Sequence, residues 1–122
     1  MEDFRRYIYD KCLDFSIRIS KLYTYLCEEK KEYVFSKQIL RSGTSIGANV
    51  RESVNAQSRM DFINKLNIAL KEANETEYWL DLLWRSGLIT LQQYESLNED
   101  CIELIKILKS IISSMKQKKT RT

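Results

Sequence analysis

The sequence contains no proline and no histidine, and only three of its 122 residues are glycine. A chain with so little turn punctuation points to long helices and away from sheets joined by tight loops. Without histidine it lacks the side chain that titrates near neutral pH and most often serves as general base. A ferritin-like di-metal centre, which draws on Glu-x-x-His pairs, cannot be built from these residues. Cys12, Cys27 and Cys101 are odd in number, widely spaced and form no CxxC pair. Neither a disulfide framework nor a zinc site is indicated, and reduced, mostly buried thiols are expected. No apolar run approaches the ~18 residues that a membrane span needs. The opening MEDFRRYIYD lacks the pattern of a signal peptide. The expectation is a cytoplasmic protein with no membrane role, no metal, no cofactor and no enzymatic activity.

What remains is 43% apolar and 30% charged, the balance of a chain that folds around a core. Phe4, Ile8, Cys12, Phe15, Ile19, Leu22 and Leu26 step at helical spacing and predict a helix from about Glu2 to about Glu28. Tyr7, Tyr9, Tyr23 and Tyr25 widen its apolar face. The polar cluster Glu28–Glu32 is the first turn, though it has no glycine to mark the break. A second helix starts near Tyr33–Ser36, with Ser36 as its N-cap, and ends near Ala56. Ser58 and Asp61 open a third, which runs to about Ser86 and stops at Gly87. Thr90 and Gln93 form a capping box for the fourth, where Tyr94, Leu97, Cys101, Leu104, Leu108, Ile111 and Met115 keep a bundle-seam period. Four long helices on short turns predict an all-α, antiparallel up-down-up-down four-helix bundle over residues 1–115, followed by a basic flexible tail over 116–122.

One stretch stands apart. Ser42, Gly43, Thr44, Ser45, Gly47 and Ala48 interrupt the second helix with small residues while its apolar period continues through Ile39, Ile46 and Val50. Each interior glycine costs about 1 kcal/mol against alanine, so close helix packing or a deliberate bend must offset it. Gly43 and Gly47 match GxxxG, but that motif marks membrane dimers only within an apolar span. No strand precedes it and no Gly-Lys-Thr follows, so it is no phosphate cradle.

The formal net charge of +3 is smaller than the charge of Lys116, Lys118, Lys119 and Arg121 alone, so the body without them is slightly acidic. Candidate nucleic-acid contacts are Arg41, Arg51, Arg59, Lys65, Lys116, Lys118, Lys119 and Arg121, with Glu52 and Asp61 diluting the field between them. Glu72–Glu75 and Glu99–Glu103 are carboxylate pairs that acid–base work could use, but the glutamates of helix three read first as a solvated or interface face. Tyr78, Trp79 and Trp84 supply more aromatic area than one bundle stripe hides, which predicts an oligomer interface. The alternative is that both indoles fill the core of one subunit.

RSGTSIGANVRES (Arg41–Ser53), Ser58–Phe62 and the run Leu66–Leu83 resemble the four-helix bundle family of 23S ribosomal RNA intervening-sequence proteins. That family includes the accessory variability determinant of diversity-generating retroelements. The resemblance implies a ring of identical subunits, typically a homopentamer, and no catalysis. For the retroelement relatives it implies binding of nucleic acid and of a reverse transcriptase. The slightly acidic body departs from the strongly basic bodies of those relatives, so the plainer intervening-sequence type fits better. It also marks Ser45, Asn49, Glu52 and Glu72 as family-typical polar positions, read here as hydrogen bonds that fix the register of helices two and three. Two functions follow: an oligomeric scaffold that binds RNA or DNA, or an interaction module that docks a partner such as a reverse transcriptase.

Overall fold

The computed structural model describes residues 3–121, with side chains described for 4–117. Its elements are α1 (Asp3–Glu28), α2 (Phe35–Val54), α3 (Arg59–Arg85) and α4 (Leu91–Arg121), and no strand occurs among the described residues. α2 packs against both α1 and α3, α3 packs against α4, and a looser α1–α4 seam closes the bundle. Short turns between long helices make each element run opposite to the last.

The core is what the periodicity predicts from Ile8 onward: Ile8, Cys12, Phe15, Ile19, Leu22 and Leu26 are all buried along α1. They meet Ile39, Ile46 and Val50 of α2, Leu66, Leu80 and Leu83 of α3, and Leu104 and Leu108 of α4. Phe4 departs from its stripe and is 56% exposed, and Tyr7, expected on the buried face, is 50% exposed.

The small-residue run of α2 lies hard against α1. A Cβ on Gly43 would stand 2.9 Å from both γ carbons of Ile19, and one on Gly47 would stand 3.2 Å from Cys12 Cβ. Backbone approach at these two positions offsets the helical cost of the glycines. Across the other side of α2, Thr76 Oγ1 donates to Ser42 Oγ at 2.9 Å, and both residues are buried.

The helix ends hold one correction. Ser58 Oγ accepts from Asp61 N at 3.0 Å, and Thr90 and Gln93 form the reciprocal capping box at 3.1 and 2.8 Å. Ser36, however, does not cap α2. Glu32 does: its carboxylate accepts from Val34 N at 3.1 Å, Phe35 N at 3.0 Å and Ser36 N at 2.8 Å. Burial alone would push this carboxyl up, but the three backbone donors outweigh it and hold it below the usual carboxylate range. The turn that lacked a glycine reverses the chain by placing Lys31 in the left-handed region, at φ 53°. Glu32→Ala should cost about 1 kcal/mol by thermal melting at neutral pH. Because the folded-state carboxyl is more acidic than the unfolded one, the wild-type advantage is full above the ordinary carboxylate range. It should shrink as pH falls through the lowered value.

The thiols are sorted by depth. Cys12 and Cys101 are buried, and burial pushes each up to about 12, aided at Cys101 by Glu77 and Asp100. Cys27 is half-buried, 3.8 Å from Ser36 Oγ. A thiolate-selective reagent should modify Cys27 alone in the native protein, read by intact mass, with Cys12 and Cys101 labelled only on denaturation.

Candidate nucleic-acid interface

An up-down bundle brings the start of α1, the end of α2, the start of α3 and the end of α4 to one pole. A cavity of about 450 Å³ opens there, walled by Phe4, Arg5 and Ile8 of α1, Val50 and Val54 of α2, Arg59 and Phe62 of α3, and Ile111 and Met115 of α4. Arg5 lies over the Phe62 ring at 5.0 Å and Arg51 over the Tyr9 ring at 5.4 Å. Arg51 and Arg59 are exposed and have no acidic partner among the described residues. Lys109 and Lys116 line a groove between α3 and α4 toward the same pole.

The opposite pole mixes the two signs: Glu75, Glu77 and Asp81 lie in the second half of α3 and Glu95, Glu99 and Asp100 in the first third of α4, with exposed Lys21, Lys30, Lys31 and Lys37 at the same end. Its arginines are engaged: Arg18 with Asp100 at 2.7 Å, Arg41 with Glu75 at 3.4 Å and Arg85 with Asp81 at 2.8 Å. Lys11 and Glu103 bridge the α1–α4 seam between the poles. The fold therefore sets Arg51 and Arg59 toward one end of the bundle and the ion-paired arginines toward the other.

The residues named from the sequence divide accordingly. Arg51, Arg59 and Lys116 come to the basic pole, whereas Arg41 stands at the opposite one beside Glu75. Lys65 is half-buried in a groove that it shares with Glu52 and Asp61, which weakens it as a phosphate contact. The side chains of Lys118, Lys119 and Arg121 lie outside the described residues. Arg5 and Lys109 were not singled out from the sequence. The signal available for Arg5 was its place at the chain start, which antiparallel order puts beside the end of α4.

The polar set does not do what was expected of it. Asn49 Nδ2 donates to Ser45 O at 2.8 Å and Ser45 Oγ to Arg41 O at 2.6 Å, both within α2. Glu52 is exposed, and one carboxylate oxygen of Glu72 is buried with no hydrogen-bond partner among the described residues. α2 is joined to α3 by the buried Thr76–Ser42 pair and by the exposed Arg41–Glu75 ion pair, while Ser45 and Asn49 reach back to their own helix.

Both indoles are half-buried and already partnered within one subunit. Trp79 stacks on Phe35 with centroids 6.1 Å apart, and Trp84 on Tyr94 at 4.9 Å. Tyr78, edge-on to Trp79, is 60% exposed. Other apolar residues not named from the sequence reach water at Leu13, Ile17 and Ile68. Among the described residues no cluster of three or more Cys, Asp or Glu is placed to hold a metal ion, and no helix is long and apolar enough to cross a membrane.

A family model for the 23S rRNA-intervening sequence protein matches residues 6–110. Among solved structures, the chain is similar to a protein of unknown function from the S23 ribosomal protein family of Bacteroides thetaiotaomicron VPI-5482. The two are 64% identical, the match covers 90% of this chain and 98% of that one, and the TM-score is 0.89. Among curated proteins, none matches.

Proposed function

Because this chain belongs to the 23S rRNA-intervening sequence protein family, we propose that it is a non-catalytic cytoplasmic scaffold that binds RNA or DNA through the basic pole of its bundle. The observation that carries this reading is that Arg5 of α1 and Arg59 of α3 line one cavity while Arg51 of α2, over the Tyr9 ring, stands at the same pole. The arginines of the opposite pole are paired with carboxylates, which favours phosphate at the pole of Arg51 and Arg59 over the pole of Arg41. Residues 116–121 are not a separate tail but the last turns of α4, which runs to Arg121 at that same end, and their basic residues extend the field.

The scaffold acts as a self-associated ring. Leu13, Ile17, Ile68 and Tyr78 put apolar area in water on outward faces of α1 and α3, and copies of the chain would cover it. Light scattering should return a mass several times that of one chain; a monomer would remove the ring from this account.

Fluorescence anisotropy of labelled RNA and DNA, titrated with salt, tests the binding. Affinity should fall steeply as salt rises and weaken when residues after Met115 are deleted. No binding at low salt would overturn the nucleic-acid reading and leave a module that docks a protein partner such as a reverse transcriptase.

A further inference from the structure

The basic pole carries aromatic rings that a phosphate-binding surface alone does not explain. Phe4 and Tyr7 are 56% and 50% exposed on the first turns of α1. Phe4 and Phe62 wall the cavity between the helices, and Arg5 lies against Phe62. At about 450 Å³ the cavity falls in the range of small-molecule sites, roughly 300–1,000 Å³. Lys11 lies over one face of Tyr7 at 5.3 Å and Arg5 over one face of Phe62; duplex nucleic acid keeps its bases stacked inside and offers only phosphate to the ring area that remains. A single strand offers phosphates and free base faces together, and alternating cations and aromatic rings are how proteins hold one. An acidic peptide matches the charge but has no flat faces for the rings.

Resting on the proposed nucleic-acid reading, we infer that the basic pole is selective for single strands, with Phe4 and Tyr7 stacking on unpaired bases, one base entering the cavity against Phe62, and Arg51 and Arg59 on the phosphates. The pole is then an end-on reader of loops or unpaired ends, and selects by strandedness in preference to sequence, since every base has a π-face.

The test uses the full chain and one short labelled oligonucleotide, presented single-stranded and as its duplex, at fixed low salt. The single strand should bind about tenfold more tightly. Phe4→Ala with Tyr7→Ala should erase that preference, and polyglutamate of matched charge should compete poorly. Both rings are largely in solvent, so the variant should fold, which its melting temperature checks. Arg59→Gln should weaken single strand and duplex alike. Equal binding of the two forms with steep salt dependence, or a double alanine variant that keeps its preference, would overturn the inference and leave the nucleic-acid reading standing. Polyglutamate competing as well as the single strand would overturn the role of the rings. Failure of both forms to bind would overturn inference and reading together.

Discussion

Gly43→Leu should cost about 3 kcal/mol or more, the upper end of what overpacking a core does, and a marginal domain would melt well below the wild type. Even the first added carbon, at 2.9 Å from both Ile19 γ carbons, has no room. Ile19 is fully buried and branched at Cβ, so it cannot swing aside as a lysine tip would. Gly43→Ala gains about 1 kcal/mol of helix propensity, and that gain should be cancelled or exceeded by the same contact. Removing the obstacle separates the two effects. Ile19→Ala by itself should destabilise by about 2–5 kcal/mol, yet the pair Gly43→Ala with Ile19→Ala should lose less than the sum of its parts, by about 1 kcal/mol. Denaturant midpoints of the four proteins provide the cycle. A Gly43→Leu variant that melts with the wild type would show that α1 and α2 do not approach here.

The second large effect is on binding. Arg51→Glu combined with Arg59→Glu should lower affinity for a labelled single strand by about a hundredfold at low salt, because it both deletes two phosphate contacts and repels the backbone. Stability should change little, since both side chains are exposed and neither has an ion partner among the described residues. The cation–π contact of Arg51 with Tyr9 is the main intramolecular loss, and exposed contacts of that kind are worth about 0.5–1 kcal/mol. Anisotropy and thermal melting on one preparation distinguish a binding defect from a folding one.

Most of the architecture is legible in the sequence because a helix writes its buried face at a fixed period. The stripes of α1 and α4, the caps at Ser58 and Thr90, and the small residues at Gly43 and Gly47 each stand where that period or a local hydrogen bond requires. Glu32 and Lys31 escape such a reading. One caps from outside the helix with a side chain long enough to reach three donors, and the other takes a backbone conformation that glycine would have advertised. The functional surface is harder still. Net charge is a sum over the chain, and it hides that the bundle carries Arg5, Arg51 and Arg59 to one end and Glu75, Asp81 and Asp100 to the other. Arg41 and Arg51 lie on the same helix ten positions apart; at 1.5 Å per residue that is roughly 15 Å along the axis, enough to separate an engaged arginine from one that faces solvent. The buried bond between α2 and α3 is made by Ser42 and Thr76, which the pattern of small residues conceals as mere lack of bulk.

The proposed binding places phosphate at the pole of Arg51 and Arg59 in preference to the pole of Arg41. The measurement that tests it most directly is the slope of log affinity against log salt for the wild type, Arg51→Gln with Arg59→Gln, and Arg41→Gln. The slope should be shallower by about 0.7 per lost single-strand contact in the first variant and unchanged for Arg41→Gln. An Arg41→Gln slope that falls as far as that of the basic-pole variant would contradict it.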